Sequence, residues 1–145
     1  AADAGQVRGM YIMGENPAMS DPDAEHARAA MAKFEHLVVQ DIFLTETCYL
    51  ADVVLPATSF LEHDDFYTAS GHTVFQVARK LIEPPGEARR DWQIICELAR
   101  RLGKGRHFDF HAPREIFDEL RLASRGGTAR CCWCSSWASW ARRPA

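Results

Sequence analysis

The fold is decided by LVVQDIFLTETCYLADVVLPATSF, the stretch that covers residues 37–60. It begins with the apolar run 37–39 and contains a second such run, 53–55, which Pro56 ends. Short, continuously apolar runs of this kind are typical of strands in a parallel sheet. Residues 45–50, between the two runs, start with a hydroxyl-bearing residue and predict a short helix.

Working outward, a third strand-like run precedes this stretch. Residues 7–13 (VRGMYIM) are rich in strand formers and end at Gly14. Asp-Pro-Asp at 21–23 favours a helix start, because Asp caps free amides and Pro fits the first helical turn. Apolar residues then recur at helical spacing as far as Phe34. This order predicts an α/β domain with a parallel sheet covered on both faces.

The sequence that follows is less regular. Residues 62–71 are polar and predict an irregular segment, and residues 73–77 alternate only weakly. One helix is predicted to end at Gly103, a natural C-cap, and another to begin near Pro113. The residues predicted to be buried by these helices are Trp92, Ile95, Cys96, Ala99, Leu102, Ile116, Phe117 and Leu120.

The chain is expected to contain one α/β domain and an atypical tail. With 145 residues, of which 47% are hydrophobic, it can bury one modest core, so residues 1–125 are interpreted as part of such a domain. Residues 126–145, GGTARCCWCSSWASWARRPA, show no period and are predicted to be disordered or frame-shifted. Cys131, Cys132 and Cys134 crowd together there, but adjacent cysteines cannot easily close a tetrahedral site, so no metal site is predicted.

Composition excludes several classes of partner. The net charge of −3 gives no electrostatic reason to expect nucleic acid or an anionic membrane. No apolar run approaches the roughly 20 residues that span a bilayer. The five cysteines lack the spaced pairs of a secreted disulfide scaffold, which favours a reducing, cytoplasmic location.

Polar residues follow each predicted strand, where ligands of parallel sheets collect. Asn16, in Gly-Glu-Asn-Pro, offers the paired donors and acceptors of an amide, although on the residues alone an ordinary strand-to-helix turn is the favoured explanation of the tetrapeptide. Gln40 and Asp41 either cap the next turn or reach a ligand. A carboxylate suits the N1–H and amine of guanine or a ribose diol, because it accepts two hydrogen bonds. Asp91 is interpreted as a helix cap on the residues alone.

The sequence favours binding over catalysis. His63, beside two acidic residues, is interpreted as part of a solvated loop. The hydroxyls of Thr58 and Ser59 have no evident activating partner, and no carboxylate pair is placed for acid–base work. No catalytic residue is predicted.

Four blocks, in this order, carry a resemblance to a known family: YIMGENPAMSDPD, LVVQDIFLTETCYLADVVLPATSF, LEHDD and EPPGEARRDWQIICELARRLG. Together they resemble the molybdopterin oxidoreductases, most closely the catalytic alpha subunits of molybdenum- or tungsten-dependent formate dehydrogenases. The likeness runs from about Gly5 to about Gly127. It implies part of the parallel-sheet cofactor-binding domain of the formate dehydrogenase and DMSO reductase fold.

The resemblance also implies a cofactor and the residues that hold it. The cofactor is bis(molybdopterin guanine dinucleotide) with Mo or W, whose guanosine ends are anchored at strand termini. His63 stands where relatives often carry Lys, and an imidazole pairs less reliably with a phosphate than an ammonium does. The residues implied to bind the cofactor are Asn16, Ser20, Gln40, Asp41, Ala57, His63 and Asp91.

The implied function is the two-electron oxidation of formate to CO2, by an enzyme of which this chain is an inactive fragment. A 4Fe-4S cluster, the metal-ligating Cys or selenocysteine and the active-site His and Arg are expected in a missing N-terminal part. Partners are expected to be the missing domains of the same polypeptide and iron–sulfur or flavin electron-transfer subunits. The alternative is a non-catalytic relative, such as the large iron–sulfur subunit of an NADH:quinone oxidoreductase. Asn16, Gln40, Asp41 and Asp91 favour the first, because a scaffold does not need them together.

Overall fold

A computed structural model describes residues 1–68 and 75–123 of the chain. The strands are β1 (Gly9–Met13), β2 (His36–Asp41), β3 (Val53–Pro56), β4 (Asp65–Thr68) and β5 (Phe75–Ala78). The helices are α1 (Pro17–Ser20), α2 (Ala24–Met31), α3 (Asp91–Arg101) and α4 (Pro113–Ala123), with 3₁₀ turns at Cys48–Leu50 and Gly105–His107. None of the helices in these two ranges is both long and apolar enough to cross a membrane.

The first three strands form a parallel sheet in the order β1-β2-β3. Its register pairs Met13 with Gln40 and Gln40 with Leu55. The three apolar runs recognised in the sequence are therefore confirmed as neighbouring parallel strands. The helix predicted to start at 21–23 begins at Ala24, and Pro22 lies before it and not in its first turn. The Asp23 carboxylate accepts a hydrogen bond of 3.0 Å from the His26 amide and caps α2.

One face of this sheet carries the core. Ile12, Leu37 and Val39 point to it from β1 and β2 and pack with Ala18 of α1 and Met31 of α2. Side chains alternate along a strand, so these residues share a face that the two short helices cover. Burial of this apolar surface stabilises the sheet and fixes the register of its strands.

The opposite face is less covered than the sequence suggested. Tyr11, Met13 and Val53 point to it and are 40%, 49% and 39% exposed. Gln40 lies on the same face and is 1% exposed, so this face is covered at its carboxyl edge and only partly covered elsewhere. The segment 45–50, predicted as a short helix, forms only the 3₁₀ turn Cys48–Leu50. Cys48 of this turn packs into the same core as α1 and α2.

Strands β4 and β5 form an antiparallel hairpin with Asp65 opposite Ala78. The prediction of an irregular segment over 62–71 is therefore wrong for residues 65–68. Phe, Tyr and Thr follow Asp65 in the sequence, and their β propensity prevails over the neighbouring turn residues once a partner strand pairs with them.

The chain divides into two compact units, residues 1–95 and 96–145, with the boundary inside α3. In the second unit, Gly103 has a φ of 72° and the Lys104 amide donates to the Ala99 carbonyl at 2.8 Å, which confirms the predicted C-cap. Cys96 and Ala99 are buried as predicted. Leu102 is 68% exposed, against the prediction, because it follows the last helical residue.

Three further burial predictions have mixed outcomes. Ile94 is buried in place of Ile95, which is 37% exposed. Helix α4 begins at Pro113, as predicted, and buries Phe117, while Ile116 is half-buried. The tail 126–145, with its three cysteines, lies outside the described residues. The division into a domain at 1–125 and an atypical tail stays a prediction.

Candidate functional site

The carboxyl ends of the three parallel strands meet at one edge of the sheet. Backbone hydrogen bonds extend the ladder past the strands: the Gly14 amide donates to the Gln40 carbonyl at 2.9 Å, and the Ala57 amide to the Asp41 carbonyl at 3.0 Å. Gly14 has a φ of 64°, a conformation that glycine adopts without steric cost, and it turns the chain away from β1. The strand-end residues of the sequence therefore lie along one edge, as predicted.

Asp91 reaches this edge through backbone pairing beside β3. Ala57 and Arg89 form a parallel bridge, in which the Arg89 amide donates to the Pro56 carbonyl and the Thr58 amide to the Arg89 carbonyl, both at 3.0 Å. Asp91 follows two residues later as the first residue of α3. Its position at a helix start agrees with the cap interpretation, but its carboxylate accepts a hydrogen bond from the side chain of Gln40.

A chain of side-chain hydrogen bonds joins Tyr11, Gln40 and Asp91. The Tyr11 hydroxyl donates to Oε1 of Gln40, and Nε2 of Gln40 donates to Oδ1 of Asp91. Gln40 is only 1% exposed, whereas Asp91 is half-buried. Burial, followed by the negative charge of Asp91, raises the pKa of Tyr11. The buried amide thus links the carboxylate of Asp91 to the phenol of Tyr11.

Asn16 is held by a second group of hydrogen bonds. Its Oδ1 accepts from the amide and hydroxyl of Thr47 at 3.2 and 2.8 Å, and its Nδ2 donates to Oε2 of Glu46 at 2.7 Å. The Thr47 hydroxyl in turn accepts from the Ala18 amide at 3.1 Å. The bond from Asn16 lowers the pKa of Glu46. The turn interpretation of Gly-Glu-Asn-Pro is therefore well supported, because Asn16 fastens the β1–α1 turn to residues 46–47.

Asp41 and Ser20 are less committed. Oδ1 of Asp41 accepts from the Phe43 amide at 3.1 Å, and within the part of the chain that the structure describes its Oδ2 makes no hydrogen bond. The exposed Ser20 hydroxyl donates to the Asn16 carbonyl at 3.0 Å. Both side chains keep oxygen acceptors that a ligand can reach.

His63 is not the solvated loop residue that the sequence suggested. Its Nδ1 lies 2.8 Å from the Thr58 hydroxyl, its Nε2 lies 3.5 Å from Oδ2 of Asp65, and its side chain is 16% exposed. Thr58 thus has a partner that sequence reasoning missed, because the chain folds back over five residues to form it. Thr58 is itself only 3% exposed, which argues against a nucleophile. Within residues 1–68 and 75–123, no three His, Cys, Asp or Glu residues form a possible metal site.

Tyr11, Thr47 and Arg89 are the residues that sequence reasoning missed. For Tyr11 a signal was available, since it lies two residues before the end of β1 and so shares the face of Met13, the partner of Gln40. Thr47 and Arg89 act through pairings across 31 and 32 residues, which no local pattern reveals.

Comparison with known proteins identifies relatives over most of the chain. The alpha subunit of an F420-dependent formate dehydrogenase from Methanocaldococcus jannaschii is 50% identical over 115 residues, 79% of this chain and 17% of that protein. The assimilatory nitrate reductase catalytic subunit of Bacillus subtilis is 44% identical over 86% of this chain and 18% of its own length. Formate dehydrogenase H of Escherichia coli is 44% identical over 81% of this chain and 16% of its own length. The chain therefore spans less than a fifth of each of these relatives.

A solved structure and a family model agree with these relatives. Acetylene hydratase from Pelobacter acetylenicus superposes with a TM-score of 0.64 at 28% sequence identity, over 70% of this chain and 14% of that one. This likeness confirms the α/β fold with a parallel sheet that the resemblance implied. The model of the family described as molybdopterin oxidoreductase matches residues 1–101. The chain belongs to the molybdopterin oxidoreductase family.

Proposed function

We propose that the chain supplies part of the guanosine-binding edge for a molybdopterin guanine dinucleotide cofactor in an enzyme that oxidises formate to CO2. The observation that carries the proposal is the placement of Asp41 and Asp91 at the carboxyl edge of the sheet. Oδ1 of each carboxylate is engaged by the protein, by the Phe43 amide in Asp41 and by Gln40 in Asp91. In the described part of the chain, Oδ2 of each makes no hydrogen bond.

These acceptors fit the chemistry of guanosine. Guanine presents N1–H and an exocyclic amine as donors, and a ribose presents two hydroxyls, so an ionised carboxylate can bind either. Adenine presents no N1–H donor, and a carboxylate leaves its N1 acceptor unpaired. An edge lined by half-buried carboxylates therefore favours guanosine over adenosine.

The seven proposed residues divide into contacts and supports. Asp41, Asp91 and the exposed hydroxyl of Ser20 have oxygens that a nucleoside can reach. The amides of Asn16 and Gln40 are hydrogen-bonded to protein partners and support the edge without contacting the ligand. Supports of this kind hold a binding group in one geometry before the ligand arrives, which lowers the entropy cost of binding.

Ala57 and His63 complete the proposed set. Ala57 is 8% exposed and its amide is bonded to Asp41, so it lines the edge and fixes the spacing between β2 and β3. His63 has one nitrogen beside Thr58 and the other near Asp65. It carries the positive charge that a phosphate requires only when it is protonated, so we assign it a conditional part in phosphate binding.

The cofactor, when bound, would supply the metal-centred redox chemistry through which two electrons leave formate. The residues of this chain bind and orient its nucleotide end and take no part in proton or electron transfer. The bis(molybdopterin guanine dinucleotide) form, a 4Fe-4S cluster elsewhere in the polypeptide and iron–sulfur or flavin electron-transfer partners belong to the same proposal. They rest on the sequence resemblance to the molybdenum- or tungsten-dependent formate dehydrogenases alone.

A nitrate-reducing enzyme is the second candidate. The catalytic subunit of an assimilatory nitrate reductase is 44% identical to this chain, the same identity as formate dehydrogenase H. Two proteins named for different substrates are thus equally similar to this segment, as expected if the segment holds the cofactor and other residues select the substrate. Formate is preferred because the relative with 50% identity is a formate dehydrogenase.

Calorimetric titration of the 145-residue chain with GDP and with ADP tests the binding role. We expect GDP to bind more tightly than ADP. Asp91→Asn should weaken GDP binding by about tenfold or more, because the new amide donor faces the guanine donors and a charged hydrogen bond is lost. Asp109→Asn, which alters an aspartate with a 73% exposed side chain in the second unit, serves as the matched control and should change nothing. Equal affinities of the wild-type chain for GDP and ADP would contradict the proposal.

A further inference from the structure

Tyr11 lies outside the seven residues of the proposed edge, yet it ends the hydrogen-bonded chain that reaches Asp91. It is on the sheet face that Gln40 also occupies, because Met13 is the register partner of Gln40 and side chains two residues apart share a face. Its phenol is partly exposed, whereas the amide it contacts is buried. The arrangement connects a residue of β1 to the first residue of α3 across the central strand.

We propose that Tyr11 is a positioning residue that, through Gln40, orients the carboxylate of Asp91 toward guanine. The inference rests on the proposed guanosine-binding function and assigns it a further determinant of base specificity. Tyr11 itself does not touch the ligand.

The amide of Gln40 can bond Asp91 in only one orientation. An amide has an acceptor end and a donor end, and a carboxylate can be bonded only by the donor end. Nε2 therefore faces Asp91, and Oε1 faces the opposite way. Oε1 is a buried carbonyl that needs a donor, and the Tyr11 hydroxyl supplies it. The phenol thus completes the one orientation of Gln40 that is compatible with Asp91.

The hydrogen bond from Gln40 restricts rotation of the Asp91 carboxylate. The bond from Gln40 engages Oδ1 and directs Oδ2 away from the amide. Without the Tyr11 hydroxyl, Oε1 is left unsatisfied, and the Gln40 side chain gains from moving toward another donor or water. Asp91 then loses its fixed partner and samples orientations in which Oδ2 does not meet the guanine donors.

The protonation state of Tyr11 agrees with this role. Burial and the charge of Asp91 raise the pKa of Tyr11, so the phenol keeps its proton to higher pH than an ordinary tyrosine. It therefore acts as a donor throughout the neutral range. Because Asp91 is one of the causes, the titration of Tyr11 reports on the link between the two residues without any ligand.

The first experiment measures the dissociation constants of GDP and ADP for Tyr11→Phe in the 145-residue chain. We expect GDP binding to weaken about five- to tenfold, the loss that follows from one hydrogen bond, with ADP binding unchanged. Tyr49→Phe is the matched control, because Tyr49 is 79% exposed and undergoes the same chemical change. Its GDP affinity should equal that of the wild type.

A double-mutant cycle separates positioning from a general structural effect. If Tyr11 acts through Asp91, Tyr11→Phe should cost no GDP affinity in the Asp91→Asn background, since the oriented carboxylate is already gone. NMR titration of labelled tyrosines, with Tyr11 assigned from the Phe variant, should show a lower pKa for Tyr11 in Asp91→Asn. Circular dichroism of each variant establishes that the fold is retained.

The outcomes separate this inference from the function on which it rests. A wild-type chain with no preference for GDP contradicts the proposed function, and with it the guanine role of Tyr11. A preserved preference in Tyr11→Phe, or an equal loss in both backgrounds of the cycle, contradicts the positioning role alone. An unchanged Tyr11 pKa in Asp91→Asn contradicts the connection between the residues in either case.

Discussion

Asn16 and Gln40 are two amides of the proposed ligand edge that bond protein partners and would support the edge without contacting the ligand. Each uses its oxygen and its nitrogen on protein partners, Asn16 on Thr47 and Glu46 and Gln40 on Tyr11 and Asp91. A residue bonded at both ends has little left to offer a ligand but strongly restrains its neighbours. In the proposed site, Asp41 and Asp91 would bind the ligand, while Gln40 holds Asp91 and Asn16 fastens the β1–α1 turn.

The structural role of Asn16 predicts a loss of stability on truncation. Asn16→Ala removes the acceptor of the Thr47 amide and the donor to Glu46, and Thr47 is fully buried. We expect the free energy of unfolding to fall by about 1–3 kcal/mol, the usual cost of leaving a buried polar group unpaired. Urea denaturation measures it, with Ser20→Ala as a control whose exposed hydroxyl should matter far less. Equal stabilities for the two variants would show that Asn16 does not fasten the turn.

Tyr11 predicts how stability depends on alkaline pH. Its pKa is raised in the folded chain, mainly by burial and also by Asp91, so the folded state retains its proton more strongly than the unfolded state. The resulting contribution is fully present below the ordinary tyrosine pKa of about 10 and is lost as the pH rises through the higher folded pKa. The free energy of unfolding, measured with denaturant from neutral to strongly alkaline pH, should fall less steeply with pH for Tyr11→Phe than for the wild type. The same dependence of unfolding free energy on pH in both proteins would contradict the raised pKa of Tyr11.

At the scale of elements, the strand ends could be predicted and the pairings between distant segments could not. The apolar runs 37–39 and 53–55 predict their strands from local sequence, because short continuous apolar runs between turn signals are typical of buried strands. The β4–β5 hairpin escaped prediction because its strands become stable only when paired, and a polar Asp65 begins one of them. The bridge between Ala57 and Arg89 likewise depends on tertiary placement.

The β1–α1 turn offers a test at this scale. Gly14 has a φ of 64°, and a Cβ added there would meet no atom within 4 Å beyond the glycine and its two chain neighbours, so the cost of substitution is local backbone strain. Gly14→Ala should lower the free energy of unfolding by about 1–2 kcal/mol. Gly14→Asn should cost less, because Asn tolerates the left-handed region. Denaturant unfolding of both variants measures these free energies. A lower free energy of unfolding for Gly14→Asn than for Gly14→Ala would contradict the prediction.

At the level of the whole molecule, the proposed role of the chain is to hold the cofactor, and this role does not depend on which substrate the enzyme uses. Relatives named for formate and for nitrate share the segment at similar identity, and the chain covers 16–18% of their lengths. The sequence alone was sufficient for the family and for the edge of the sheet, since both depend on ordered local motifs. Tyr11 needed the cross-strand register, and the supporting role of Asn16 needed a contact with Thr47, 31 residues away.

This division of labour predicts that the 145-residue chain does not oxidise formate. In the proposed function, the residues of this edge act only on the nucleotide end of the cofactor and take no part in proton or electron transfer. A formate-dependent dye-reduction assay with purified chain should give the rate of a blank without protein, with an intact formate dehydrogenase as positive control. Turnover above the blank that follows the chain through purification would contradict the prediction.

The proposed recognition of guanine donor groups by carboxylates at this edge is tested by comparing GDP with IDP. IDP differs from GDP only in lacking the exocyclic amine, so the ratio of their dissociation constants isolates the hydrogen bond that this amine donates. We expect the 145-residue chain to bind GDP about tenfold more tightly than IDP, the value of one charge-assisted hydrogen bond, and Asp91→Asn to lose that difference. Equal binding of GDP and IDP by the wild-type chain would contradict guanine recognition by these carboxylates.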